Sequence, residues 1–435
     1  MIKRIEALNF RSLRYVNQEI GQFVSLVGPN ASGKTTFLDV IRFLGDLMSF
    51  DLGTAISERT NNPVDLVWGR SGAAFELAID ATIPREIREA LPDRGYTDVR
   101  YELKIEIGTE EEEPRISAER LALKFDKQPK VHREQRTLFP EALGTGVPDT
   151  IYQAQLSRKK YQSKTIVHKQ DNGNDNYYSE MYEPKYTDSP GADTGGKGWI
   201  PSFRFGPKKS ALANVPDDGT RFPVSMWFRN FLTQGVHSLV LNSLLIRNAS
   251  RPGLGDKFVP DGSNLPWVVE KVRTKFPQQF GKWIEHIQTA FPDIEEVKTV
   301  ERPDDRHRYL VLRYRGGMDV PSWMVSDGTL RFLALTLIAY LPSMGDLYLI
   351  EEPENGIHPK AIEALFQSLS SAYDSQVIIA SHSTVMLSMV EPDQVLCFAK
   401  INNETDIVSG KDHPALKEWR GECSFGTLFA SGILG

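Results

Sequence analysis

"VSDGTLRFLALTLIAYLPSMGDLYLIEEPENGIHP" occupies residues 325–359 and holds a cap, a helix, a strand and two acids in that order. Ser326 suits a helix N-cap, and Gly328 leaves the backbone near the helix start open to a closely approaching phosphate. "DLYLIEE" reads as a buried strand, Leu347 to Ile350, that ends in the adjacent carboxylates Glu351 and Glu352. About two dozen residues separate cap from acids, room for one helix of about 20 Å, a turn and a returning strand. One carboxylate at such a strand tip can complete a Mg²⁺ shell, and the next can orient or deprotonate an attacking water. In isolation an ordinary cap and a solvated acidic strand end explain these residues equally well. Order and spacing favour the chemical reading.

Downstream, "PKAIEALFQSLSSAYD" (359–374) has helical spacing, and "SQVIIASHS" (375–383) reads as a second buried strand, Val377 to Ala380, that delivers His382 to its end. The unit is βαβ, so its two strands are expected to be parallel. Ligands in open α/β sheets sit at the carboxyl ends of strands, which puts His382 on the edge of Glu352. A lone histidine is usually structural; this one is expected to contact a γ-phosphate or the attacking water.

Far upstream, "GPNASGKTT" (28–36) matches G-x-x-x-x-G-K-[ST] between the apolar run "QFVSLV" (22–27) and the helical pattern "KTTFLDVIRFLGDLM" (34–48). A strand enters and a helix leaves, the context in which a helix N-terminus holds phosphate. The loop residues Gly28, Asn30, Ala31, Ser32, Gly33, Lys34, Thr35 and Thr36 are thus expected to bind ATP. Lys34 reaches the β and γ phosphates, and the Thr35 hydroxyl reaches Mg²⁺.

The whole chain bounds this reading. With 435 residues, 40% hydrophobic and 25% charged, it can bury a large core. A net charge of −6 leaves no global footprint for nucleic acid. Cys397 and Cys423 make no metal-ligand spacing and suit a reduced, cytoplasmic setting as packing residues. The longest apolar stretch, "FLALTLIAYL" (332–341), is far shorter than the roughly 20 residues of a membrane span. The start, "MIKRIEALNFRSLRY", alternates like a strand and lacks the apolar core of a signal peptide.

Together these motifs resemble the ATP-binding-cassette ATPases of the structural-maintenance-of-chromosomes (SMC) and RecF-like branch. "EEPENGIHP", "VSDGTLRFLAL" and "ASHS" are more closely similar to the OLD-related, AAA-21-type and AAA-15-type ATPases of bacterial anti-phage defence operons. The resemblance covers roughly residues 1–85 and 300–400. It implies an α/β ABC-type ATPase head, with a mixed sheet around a P-loop core and a central α+β insertion. It further implies Glu351 as the Walker B acid on Mg²⁺, Glu352 as the catalytic acid and His382 as the switch histidine. Ser326, Asp327 and Gly328 would form a signature that contacts, in trans, the γ-phosphate held by a second subunit, so a head-to-head dimer is implied. This sequence departs from the pattern in three places: Glu351 stands for the commoner Asp, "SDGT" for S-G-G-Q, and "VDLVWGRSG" (64–72) offers Trp68 and Arg70 but no glutamine that would sense the γ-phosphate.

The expected organisation is a first core half over 1–85, an accessory lobe over 86–300 and a second core half over 301–435. A heptad pattern is absent from the middle, and strands are expected at 99–108 and 115–125 instead of a coiled-coil arm. Residues 170–220, poor in aliphatics, are expected to be mobile or ordered by a partner. Within "SRKKYQSKTIVHK" (157–169), Arg158, Lys159, Lys160, Lys164 and Lys169 surround Tyr161. They could track a nucleic-acid backbone, but a solvated charge run is the favoured account of them. Helices are expected at 264–276 and 278–291. The tail "FGTLFASGILG" (425–435) suits either docking to a partner or packing back on its own domain.

Two functions remain open at this point. In one, ATP binding and hydrolysis by a dimer or larger oligomer regulates a separate effector, a nuclease or toxin encoded alongside it, in anti-phage defence. In the other, a RecF-like repair clamp closes on duplex DNA. Some 50 residues follow His382 and hold no Toprim-like cluster of acids, so an effector would be another chain.

Overall fold

Phe23–Val27 is buried at every position, as a strand covered on both faces must be. The computed structural model describes residues 1–108, 113–125, 138–141, 146–153, 163–181, 199–255, 257–342, 345–372, 374–416 and 424–432. Along the chain the strands are β1 (Ile2–Phe10), β2 (Leu13–Glu19), β3 (Phe23–Val27), β4 (Ala74–Thr82), β5 (Tyr96–Glu106), β6 (Arg115–Phe125), β7 (Ser163–Gln170), β8 (Asp175–Tyr178) and β9 (Trp199–Phe203). Then come β10 (Val236–Leu239), β11 (Ile294–Glu301), β12 (Arg308–Tyr314), β13 (Met318–Pro321), β14 (Leu347–Glu351), β15 (Gln376–Ala380), β16 (Val395–Ile401) and β17 (Glu404–Ser409). The helices are α1 (Lys34–Ser49), α2 (Leu52–Ser57), α3 (Arg85–Ala90), α4 (Pro223–Gln234), α5 (Ser243–Arg247), α6 (Leu265–Lys275), α7 (Pro277–Ala290), α8 (Asp327–Leu337), α9 (Pro359–Ser370), α10 (Thr384–Leu387) and α11 (Phe425–Ala430).

Two units share the chain. The first comprises Met1–Ile20, Asn30–Val236 and Ala399–Ile407. Its eight-stranded sheet runs β2-β1-β4-β5-β6-β7-β8-β9, and every register recorded along it is antiparallel. Helix α1 packs on this sheet through Phe43, whose ring meets Phe10 edge-on at 5.9 Å and Phe75 at 5.7 Å. Gly45 lets α1 approach α4, because a β-carbon there would press on the Leu232 carbonyl. One stretch of the sheet is ionic. Arg100, fully buried, donates to Glu6, Asp80 and Glu102 at 2.6, 3.2 and 2.6 Å. Burial alone would lower the guanidinium's affinity for its proton; the three carboxylates outweigh burial and raise it.

The stretch 170–220, expected to be mobile or ordered by a partner, instead contributes β8, β9 and the turn Ser210–Leu212, which is buried. Glu119 gathers that turn, accepting from Ser210 Oγ at 2.6 Å, Ala211 N at 2.7 Å and Leu212 N at 2.9 Å. Residues 182–198 of the same stretch lie outside the described residues.

The second unit comprises Gly21–Pro29, His237–Phe398 and Val408–Gly435. Its core is the run β14-β15-β3-β16 of the six-stranded sheet, whose paired residues run parallel. The crossover helix α9 joins β14 to β15 as expected and rests on the sheet through Phe366, edge-on to Phe23 at 5.4 Å. Helices α6 and α7 fall where the sequence placed them, and Trp283 is buried with its Nε1 donating to Thr336 Oγ1 at 3.1 Å. A small antiparallel sheet, β11-β12-β13, completes this unit. Among the described residues no helix is long and apolar enough to cross a membrane.

Candidate functional site

In the second unit the order β14-β15-β3 sets three parallel strands side by side, so their carboxyl ends share one edge. Glu351 ends β14, paired across to Ala380; His382 stands two residues past the end of β15; Gly28 follows β3. The edge is tied at backbone level, with Glu352 N donating to Ala380 O at 2.8 Å and Ser381 N to Leu26 O at 3.2 Å. Spacing alone had placed these residues at one edge, and the parallel registers put them there.

The glycine-rich loop leaves β3 with Gly28 at φ 153° and Gly33 at φ 104°. Neither tolerates a side chain. A β-carbon on Gly28 would overlap the Phe398 carbonyl oxygen, and one on Gly33 would overlap Thr405. Ala31 is left-handed too, at φ 60°. Helix α1, 16 residues long, starts at Lys34 with no side-chain cap and no acid in its first turn. Its leading N–H groups and dipole are therefore presented to an anion. Ser32 Oγ is buried with no partner among the described residues, a donor left for a ligand to satisfy. Asn30, Ala31 and Thr35 are exposed, Thr36 is half-buried, and Lys34 is buried. A loop with the unpartnered Ser32 Oγ and no carboxylate in the opening turn of its helix suits phosphate oxygens, and the exposed Thr35 hydroxyl suits a hard cation.

Helix α8 begins where expected. Ser326 Oγ caps it by accepting from Thr329 N at 3.2 Å, and Asp327 occupies the first turn. Asp327 is held by Arg247, Nε to Oδ1, at 2.7 Å. Gly328 is fixed by packing: a β-carbon there would overlap the carbonyl oxygen of Gly356. Exposed apolar side chains flank the signature, with Met324 and Leu244 each 71% exposed and Trp323 44%.

Two features at the strand edge escaped the sequence. Glu352 adopts a left-handed backbone, φ 49°, a conformation that costs a non-glycine residue roughly 1–2 kcal/mol and persists where the surroundings impose it. Glu354 reaches under the histidine loop, its Oε1 accepting from Ser381 Oγ at 2.8 Å and from His382 N and Ser383 N at 2.9 Å each. Only the crowding of acids in "EEPE" signalled it.

The basic stretch is divided. Arg158, Lys159 and Lys160, with Tyr161, lie outside the described residues. Lys164 is half-buried in β7, its Nζ donating to Glu180 O at 2.8 Å. Lys169 is buried, on Asp175 at 2.8 Å. Much of what read as a charge run is a strand. Trp68 takes the Arg14 guanidinium over its ring at 4.9 Å, and Arg70 pairs with Asp65 at 3.0 Å. Cys397 is buried in β16; Cys423 lies outside the described residues.

The model of one family matches residues 23–144 and 201–388, well over half of the chain. The chain belongs to the AAA_21 family. That family is described as "AAA domain, putative AbiEii toxin, Type IV TA system". No curated protein matches the chain. Among solved structures, an SMC head bound to the C-winged helix domain of ScpA is 13% identical, covers 94% of this chain and 97% of its own, and superposes with a TM-score of 0.53. The SMC head domain of Pyrococcus furiosus, with an extended coiled coil and bound to the C-terminal domain of ScpA, is 11% identical over 94% and 96% of the two chains, TM-score 0.47. The SMC head domain of Thermotoga maritima is 10% identical over 94% and 98%, TM-score 0.41. This AAA_21 chain thus has the fold of an SMC head, an α/β ABC-type ATPase domain, as the resemblance implied.

Proposed function

We propose that this AAA_21 chain binds and hydrolyses ATP with Mg²⁺ as a head-to-head dimer, and that the nucleotide state of the dimer regulates a separate effector protein in anti-phage defence. The observation that carries the catalytic part is the single edge on which Glu351, Glu352 and His382 stand beside the strand that feeds the glycine-rich loop.

Bound Mg²⁺ would neutralise charge on the phosphates and align the terminal one for in-line attack. Lys34, Ser32 and the N–H groups opening α1 hold phosphate oxygens. Thr35 and Glu351 supply oxygen ligands for the cation. Glu352 accepts the proton of the attacking water, and His382 donates to the γ-phosphate. Ser326, Asp327 and Gly328 reach the nucleotide of the second subunit. Their apolar surround, Met324, Leu244 and Trp323, supports a self-association surface, since apolar side chains exposed beside a polar site mark contact faces. The effector reading rests on the family's toxin-system description.

The test combines phosphate release and molar mass for wild type, Lys34→Ala and Glu352→Gln, with co-purification from cells carrying the neighbouring genes. Lys34-dependent release, an ATP-induced dimer trapped by Glu352→Gln, and a stoichiometric partner protein are expected. Recovery of duplex DNA with salt-sensitive binding and no protein partner would replace the effector reading with the repair clamp. Absence of both release and nucleotide binding in wild type overturns the ATPase reading.

A further inference from the structure

The histidine loop, Ser381–Ser383, is gripped from one side by a single carboxylate oxygen. Glu354 Oε1 takes three donors from three successive residues, including the backbone N–H of His382 itself. Such charge-assisted bonds are about twice as strong as neutral ones. The same loop is braced internally, with Ser383 N donating to Ser381 Oγ at 3.1 Å and Ser383 Oγ accepting from Met386 N at 3.2 Å to cap α10. The His382 ring lies 6.2 Å from the ring of Phe429 on α11.

Glu354 is also rooted beside Glu352. Glu352 N donates to Ala380 O, Asn355 N to Glu352 O at 3.0 Å, and Ile357 N to Glu354 O at 3.0 Å, so residues 352–357 form one hydrogen-bonded turn. The left-handed backbone at Glu352 starts that turn, and it turns the chain so that Glu354 comes back under β15's exit. One short segment therefore carries a carboxylate proposed to act on water and a second that fixes the main chain of the proposed switch histidine. The second oxygen of Glu354, Oε2, is buried without a partner among the described residues. A buried acceptor left unmade carries a desolvation penalty, so this carboxylate is retained against its own desolvation. That is the signature of a group kept for position.

We propose that Glu354 is a positioning residue for hydrolysis: it sets where His382 stands relative to Glu352. This rests on the ATPase reading above. If Glu354 acts through His382, its loss lowers kcat and leaves nucleotide affinity alone, because no donor of the glycine-rich loop depends on it. A residue that merely holds the fold would change stability, KM and kcat together, and its effect would add to that of His382.

The experiment is a double-mutant cycle on the full chain, reading phosphate release, affinity for a fluorescent ATP analogue and melting temperature for wild type, Glu354→Ala, His382→Ala and the double variant. Expected are a kcat reduced about 30-fold in Glu354→Ala with KM within about threefold, and a double variant no slower than His382→Ala within about twofold. Glu354→Gln, which keeps a carbonyl oxygen for the three donors, should recover at least a third of the wild-type rate; it replaces the alanine variant in the cycle if that one loses nucleotide binding. Independent, multiplicative losses, or a Glu354→Ala rate equal to wild type while Lys34→Ala is inactive, overturn the inference alone. Wild-type release that is indifferent to Lys34→Ala overturns the ATPase reading and this inference with it.

Discussion

Gly328 and Gly356 touch through bare backbone: the space that a β-carbon on Gly328 would need is filled by the carbonyl oxygen of Gly356. Gly356 itself sits at φ 74°, in the left-handed region. The signature helix α8 and the turn that carries Glu352 and Glu354 are therefore seated on each other with no side chain between them. Gly328→Ala should push the two apart, at a cost of about 1–3 kcal/mol for overpacking. A lowered urea midpoint, together with a larger fall in phosphate release than in nucleotide affinity, is the expected outcome.

Glu352 combines a strained backbone with the proposed role of general base. A general base contributes about 10²–10⁴-fold to rate, so Glu352→Gln should lower kcat by at least about 100-fold while nucleotide stays bound. Glu352→Gly removes the same carboxylate but relaxes the backbone at φ 49°. Gly's ease at positive φ offsets its extra unfolded-state entropy, and stability should stay within about 1 kcal/mol of wild type. Denaturant titration of the two variants beside turnover assays checks both statements.

How much of this could be read beforehand depended on what each residue had to signal. β14 and β15 are runs of Leu, Ile and Val covered on both faces, and they announced themselves, as did α8 with its Ser326 cap. The shared edge followed from the rule that βαβ strands run parallel. By contrast, β7 was hidden because two of its residues are lysines: Lys164 and Lys169 satisfy a carbonyl and a carboxylate inside the fold, and a basic residue read alone looks solvated. The buried turn after β9 was hidden for a related reason. Its donors converge on Glu119, 91 residues upstream of Ser210, and no local pattern encodes such a partner. Glu354 belongs to the same class. Turn residues carry no period, and only the fold shows which loop they hold.

The ionic stretch of the eight-stranded sheet is expected to be intolerant of halves. Arg100 neutralises Glu6, Asp80 and Glu102 at once, and all four are buried. Arg100→Met would keep the length of the side chain and take the buried cation from Glu6, while Glu102 keeps Arg120 and Asp80 keeps Lys124, each at 3.2 Å. Removal of one partner from a buried ionic group costs about 3–5 kcal/mol. A drop in melting temperature of several degrees, partly recovered on acidification as the Glu6 carboxylate protonates, is the expected result.

Glu180 makes the first unit lose stability as the pH rises toward neutrality. Its carboxylate caps α4, accepting from Val224 N at 2.6 Å and from Ser225 N at 2.8 Å. Burial nonetheless dominates and pushes its pKa up to about 7 from the model-peptide 4.5, against the pull of those hydrogen bonds. Above 4.5 the unfolded chain loses this proton while the folded chain keeps it. Stability from this group is therefore complete below about pH 4.5 and declines until about pH 7. Stability measured from pH 5 to 8 should fall less steeply in Glu180→Gln than in wild type, and an equal slope would place the charge elsewhere.

The C-terminal helix α11 packs back on its own unit: Phe425 and Leu428 are buried, and Gly426 lies against the Thr384 carbonyl so tightly that a β-carbon would overlap it. Of the two roles open for this tail, folding onto itself is the one realised over residues 424–432, since α11 rests on α10 directly after the histidine loop. Gly426→Val cannot be accommodated without lifting α11. Each large apolar side chain so exposed costs about 1.5–3 kcal/mol, enough to free a helix of six residues. Limited proteolysis should then clip the variant near its C-terminus at a protease level that spares wild type. Phosphate release should fall as well, because the wall behind His382 leaves with Phe429. Clipping without any change in turnover would mean that α11 stabilises the unit but does not hold the histidine.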